Sequence, residues 1–274
     1  MSKLRNEAPI GVFDSGLGGL TVLRALAARL PREDFVYLGD TARVPYGTRT
    51  VQTVLNYSHA CARVLRDNRI KMLVVACHTV SACALDALAA ELFVPSIGAI
   101  VPGTRAGLAV SLNKRLGVIA TAGTLRSGAY LRAVGELDRT AQVFIEAAPL
   151  LVPMVEEGWL DREATRLTAR AYLEPLAKSD VDALVLGSTH YSLLMPLIAD
   201  ELAALSGKAV PVIDSAPAIA EEVATTLESR QLATARDDPG KLRIIFTDMP
   251  DDFGPANRFL GKDLAQLSVS AVDV

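Results

Sequence analysis

Apolar runs of strand length recur along this chain, each breaking into small and polar residues and each leading to a helical stretch. Ile10-Gly11-Val12-Phe13-Asp14 enters the glycine-rich turn 15–19, and Leu73-Val74-Val75-Ala76 enters Cys77-His78-Thr79. Leu116-Gly117-Val118-Ile119-Ala120 enters Thr121-Ala122-Gly123, and Leu184-Val185-Leu186-Gly187 enters Ser188-Thr189-His190. Apolar runs without polar alternation mark strands buried on both faces, as parallel sheets require. Helices are predicted at 20–30, 51–67, 81–91, 127–137, 162–178, 193–205 and 216–231. Strands alternating with helices predict an α/β fold of parallel, doubly wound sheets, with ligands beyond the carboxyl ends of the strands.

The pattern occurs twice. Residues 10–19 resemble 116–125, the Cys77 cassette matches the Ser188 cassette, and 94–98 echoes 210–214. The copies lie roughly 110 residues apart, the mark of a duplicated half-chain. Two pseudo-symmetric domains follow, 1–99 plus 212–274 and 100–211, with the active site in the cleft between them. On that arrangement Cys77 and Ser188 approach one bound molecule from opposite sides.

Half of the 274 residues are hydrophobic, enough for two cores, and no apolar run reaches the length of a membrane span. A formal charge of −3 gives no basic footprint for nucleic acid. Three cysteines, an odd number, predict reduced thiols in the cytoplasm. Residues 1–7 carry charge without the apolar core of a secretory signal.

The turn at 14–21 departs from a dinucleotide fingerprint because Thr21 takes the last glycine position, and no phosphate-loop lysine follows. Asp14 and Ser15 stand at a strand end, where they can orient a polar substrate; the plainer alternative is that Ser15 caps the next helix. In 39–47, Pro45 and Gly47 fix the backbone and Tyr46 can present a hydroxyl above the sheet. Backbone N–H groups there suit a carboxylate, although an ordinary loop would read the same.

Cys77 sits at a strand end, whereas Cys61 and Cys83 fall in helices and read as core. A thiol titrating near about 8.5 becomes a useful base where its surroundings favour the thiolate. Ser188 would need an adjacent base, and His78 and His190 could tune or replace a proton carrier. No ligand-pair spacing joins Cys77, His78 and His190 into a metal site. No strand-end lysine suits pyridoxal phosphate, so neither metal nor cofactor is expected. Glu156 with Glu157 reads by itself as a charged helix start.

Taken together, residues 11–21, 39–47, 77–81, 117–123, 152–158 and 187–194 resemble the glutamate racemases of the aspartate/glutamate racemase superfamily. The resemblance implies a two-domain isomerase, usually dimeric and cytoplasmic. Such enzymes interconvert L- and D-glutamate without a cofactor and so supply peptidoglycan and cell shape. In the family two cysteines flank the α-carbon, one removing its proton and the other returning one on the opposite face. By resemblance, Cys77 is the base acting on D-glutamate, and Asp14 and His190, helped by Glu156, assist the thiol positions. Ser15, Tyr46, Gly47, Thr79, Thr121 and Thr189 resemble the groups that hold the carboxylates and ammonium, with Pro45 and His78 beside them.

The sequence departs from that pattern at Ser188, where the second cysteine is usual, and at His78, where asparagine is usual. Ala148 and Ser192 replace a frequent cysteine and a frequent proline. Loss of one thiol predicts weakened racemisation with binding retained. Two alternatives stay open: a single-thiol isomerase or decarboxylase on this scaffold, or a non-catalytic relative with a dicarboxylate-binding cleft.

Overall fold

A computed structural model describes residues 6–274; residues 1–5, the start of the segment read above as lacking a signal core, lie outside the described residues. The strands are β1 Ile10–Asp14, β2 Phe35–Gly39, β3 Met72–Val75, β4 Ser96–Gly98 and β5 Arg115–Ala120. They continue with β6 Gln142–Ala147, β7 Ala183–Gly187, β8 Val212–Asp214, β9 Leu242–Phe246 and β10 Ser268–Ala271. They form two sheets, β10-β9-β2-β1-β3-β4 and β6-β5-β7-β8, whose pairings are all parallel. The order β2-β1-β3-β4 reappears as β6-β5-β7-β8, so the duplication seen in sequence is a duplication of topology. Every residue of β1, β2, β3 and β7 is buried, which is why their sequences lack polar alternation.

Helix Val51–Asp67 forms as predicted, with the Thr50 hydroxyl accepting from the Thr53 N–H at its start. Differences cluster at strand ends. The stretch 81–91 is two helices, His78–Cys83 and Leu85–Leu92, broken at Ala84. Helix Ala129–Leu137 is preceded by Ala122–Ser127, and Gly128 turns between them at φ +66°. Helix Met195–Ser206 is entered through a 3₁₀ turn over Thr189–Leu194. In each case the small polar residues that end an apolar run wind at once into a helical turn, which places them on the sheet rim.

Two expectations need correction. Glu156 closes helix Leu151–Glu156 instead of starting a helix. The return to the first unit, expected at 212, falls after Asp214, because β8 pairs with β7 in the four-stranded sheet. That is the place the duplication demands, since β8 is the counterpart of β4. The chain then returns through helix Ser215–Ser229 to β9, which pairs with β2. Helix Gly254–Leu260 and β10, for which no pattern was read, complete that half.

Candidate active site

The carboxyl ends of β1, β3, β5 and β7 converge on a cavity of about 320 Å³, at the small end of ligand pockets. Both halves contribute to its wall. Ser15, Pro45, Tyr46, Gly47, Cys77, His78 and Thr79 come from one side, and Thr121, Glu156, Ser188, Thr189 and His190 from the other. Of the residues read in the sequence as catalytic or substrate-binding, Asp14 alone is not part of the lining. The reading missed the apolar lip of Val44, Pro149, Val152 and Pro153. Nothing in the pattern of that segment separated cavity wall from core.

Cys77 is the residue just before helix His78–Cys83, and its thiol donates to the Ser15 hydroxyl at 3.3 Å. Ser15 does not cap the next helix, because helix Leu20–Arg29 begins after Gly19 and has no side-chain cap. Burial pushes the Cys77 thiol up to about 11; the neighbouring Asp14 charge adds to the rise and the Ser15 hydrogen bond opposes it. The surroundings therefore disfavour the thiolate in the empty site, because the strand end is dry and the Asp14 charge is negative. An amino acid's ammonium group would bring the opposite charge.

Asp14 lies beneath the glycine turn, its Oδ1 accepting from the Gly16 N–H at 3.0 Å while Oδ2 has no partner among the described residues. Burial raises its carboxyl above the ordinary range, and His190 opposes that rise. The glycines of the turn serve close approach, Gly18 to the other half and Gly19 to Asp14 in its own half. A Cβ on Gly18 would sit 2.7 Å from His190 Nδ1, and one on Gly19 would sit 2.8 Å from the Asp14 Cγ.

Opposite Cys77 in the duplicated plan stands Ser188. Its hydroxyl accepts a long 3.4 Å bond from the His190 N–H. The His190 ring meets Glu156 Oε1 through Nε2 at 3.1 Å and packs edge-on against Phe259, with centroids 5.1 Å apart. Thr79, Thr121 and Thr124 form a triangle of hydroxyls at 2.9, 3.0 and 3.3 Å that bridges the halves. Thr121 also caps helix Ala122–Ser127.

Two residues behave differently from their reading. The Tyr46 hydroxyl donates to Asp40, a fully buried carboxylate that also accepts from Arg43 Nε at 2.8 Å and Thr247 Oγ1 at 2.7 Å. Tyr46 thus anchors its loop, and the loop's backbone is left to face the cavity. Asp40 is the anchor the sequence reading overlooked, although it stands in the segment quoted for that loop. His78 is buried, with Nε2 against the Ser215 hydroxyl at 3.3 Å and Nδ1 unpartnered among the described residues. Burial pushes it down to about 3, so at neutral pH it is an uncharged imidazole. Of the histidines at the cavity, His190 is the one with a carboxylate partner.

The arrangement places one thiol, one hydroxyl and an imidazole–carboxylate pair around a space rimmed by threonine hydroxyls and loop backbone. Such a site suits proton transfer at a small polar molecule with anionic groups. Among the described residues no cluster of three His, Cys, Asp or Glu has the geometry of a metal site.

Comparison with known proteins gives a consistent result. The family described as Asp/Glu/Hydantoin racemase matches residues 10–223. A glutamate racemase of Geobacter metallireducens is 46% identical over 266 residues, covering 96% of this chain and 97% of its own. The crystal structure of a glutamate racemase isoform from Bacillus anthracis superposes with a TM-score of 0.90 at 37% identity, covering 98% of each chain. The Francisella tularensis glutamate racemase, solved in complex with D-glutamate, gives a TM-score of 0.88 at 32% identity over 98% of each chain.

Proposed function

The chain belongs to the Asp/Glu/hydantoin racemase family and is an isomerase; on that premise we propose that it interconverts L- and D-glutamate in this cavity. The observation that carries the reading is that Cys77 and Ser188, from duplicated strand ends, line one cavity. Burial and the Asp14 charge hold the free thiol protonated; once the substrate's ammonium offsets them, Cys77 releases that proton to solvent and the thiolate takes the α-proton of D-glutamate. Asp14, beneath the same wall, assists this side. On the opposite face Ser188 holds its own proton too tightly to act alone. The proton returned there passes through His190, with Glu156 stabilising the charged imidazole. Ser15, Thr79, Thr121, Thr189 and the backbone of 45–47 hold the carboxylates and ammonium, and His78 supports the wall as a neutral group.

Side chains alone carry the proton in this scheme. A positioned thiol is worth ~10²–10⁴-fold, so Ser188 weakens inversion by that order while leaving binding largely intact. We place the protein in the cytoplasm as a homodimer that feeds D-glutamate to peptidoglycan and so to cell shape. Support for that setting is its family. Sedimentation of the purified chain checks the dimer.

The test is incubation of each glutamate enantiomer in D₂O, following the α-proton by NMR and inversion by circular dichroism. Exchange that Cys77→Ala abolishes is expected. Absence of both binding and exchange with either enantiomer would refute glutamate as the substrate. Ser188 also favours a second reading, a single-thiol isomerase or decarboxylase, for which one face needs no thiol; a screen of malonates separates it. If malonates and glutamate bind without turnover, the cleft serves dicarboxylate binding alone.

A further inference from the structure

We propose that helix Gly254–Leu260 is a clamp that positions the His190–Glu156 pair, with Phe259 fixing the imidazole and Arg258 fixing the backbone from which the carboxylate extends. The inference rests on the reading above that His190 serves the Ser188 face. The His190–Glu156 contact is weak by itself, because the Glu156 side chain is 47% exposed and an exposed ion pair adds little order. The neighbouring helix supplies what the pair lacks. Phe259 is buried and sets its ring at 73° to the imidazole. Gly18 also abuts the imidazole and leaves no room there for a side chain. The imidazole is therefore packed against both a glycine and an aromatic ring.

Arg258 acts on the other partner. Its Nη2 donates to the Glu156 carbonyl at 2.9 Å, at the end of helix Leu151–Glu156. The chain then turns through Gly158 at φ +73°, a conformation that favours glycine. A Cβ there would lie 3.3 Å from the Arg258 guanidinium, so the turn and the arginine are fitted to one another. The clamp belongs to the half built on the six-stranded sheet, whereas His190 and Glu156 belong to the other half. The pair is thus fully held only while the halves keep this arrangement. Arg258 and Phe259 are positioning residues: neither lines the cavity.

Three variants of the full chain test the clamp: Arg258→Ala, Arg258→Lys and Phe259→Leu. The first readout needs no substrate. With three histidines in the chain, imidazole NMR resolves His190, whose signals should move or broaden in Arg258→Ala and Phe259→Leu and recover in Arg258→Lys. The second readout separates the two faces. Arg258→Ala should slow inversion about fivefold, the scale of one lost hydrogen bond. Exchange of the D-glutamate α-proton at Cys77 should stay within about twofold. Unchanged His190 signals in both Arg258→Ala and Phe259→Leu, in folded protein, would overturn the clamp. So would equal slowing of exchange and inversion, the mark of general loosening. A wild type that neither exchanges nor inverts glutamate would refute the functional reading instead, and the His190 signals would still decide the clamp.

Discussion

Ser188→Cys converts the asymmetric wall into a paired-thiol wall, and its effect can be sized from the surroundings of residue 188. The side chain is 6% exposed, lines the cavity, and gives up only a 3.4 Å acceptor contact to the His190 N–H. Little stability is therefore lost in the exchange of oxygen for sulfur, and the rest of the site is undisturbed. The gain is a proton carrier whose ordinary titration lies near that of Cys77. Even if burial pushes the new thiol up to about 11, as it does Cys77, it remains a far better carrier than a hydroxyl. A positioned acid or base contributes ~10²–10⁴-fold, so inversion followed by circular dichroism should rise at least ~100-fold, about 3 kcal/mol of barrier. Ser188→Ala supplies the control: if His190 carries the proton, loss of the hydroxyl costs less than about fivefold, one hydrogen bond's worth. A folded Ser188→Cys protein with unchanged inversion would refute the opposed-face geometry.

Three further outcomes follow from the site. Gly18→Ala forces a methyl to within 2.7 Å of His190 Nδ1, which should cost ~1–3 kcal/mol by overpacking and lower inversion; a melting temperature and rate equal to wild type would contradict it. Since burial and Asp14 hold the unliganded Cys77 thiol up at about 11, its alkylation by iodoacetamide should climb about tenfold per pH unit between roughly pH 7 and 9; a plateau reached below about pH 8 would mean the thiolate is already favoured. His78, pushed down to about 3 in the fold, stays neutral while the unfolded chain takes up its proton, so stability is lost as pH falls below about 6.5. By about pH 5.5 that loss is about 1.4 kcal/mol, and His78→Asn should remove it in paired denaturant titrations; an unchanged pH slope would show that His78 is charged in the fold.

Much of the architecture was legible because buried parallel strands leave unbroken apolar runs, and a duplicated half-chain leaves them twice. The cavity-lining residues were legible for the same reason: Cys77, Thr121 and Ser188 each stand where an apolar run ends. What escaped was set by contacts between distant segments. Nothing local to Tyr46 shows that its hydroxyl goes to Asp40, or that Thr247 after β9 holds the same carboxylate. The state of Cys77 escaped too, since burial and Asp14 act on it through the fold. Glu156 looked like a helix start because its charge fits a first turn; tertiary packing of Leu151 and Val155 instead makes it a helix end. The short helical turns at 78–83, 122–127 and 189–194 were hidden because each is only six residues long. Periodicity needs more turns than that to declare itself.

The central claim is that Cys77 is the one thiol acting at the α-carbon, with a poorer carrier on the other face. The most direct measurement is the ratio of α-proton exchange to inversion for D-glutamate in D₂O, in wild type and in Cys77→Ala. Exchange should exceed inversion by at least ~10-fold, because the Cys77 thiol trades the abstracted proton for solvent deuterium and returns it to the same face more often than the carbanion is captured opposite. Cys77→Ala should abolish both. Equal rates of exchange and inversion, persisting in Cys77→Ala, would contradict the account.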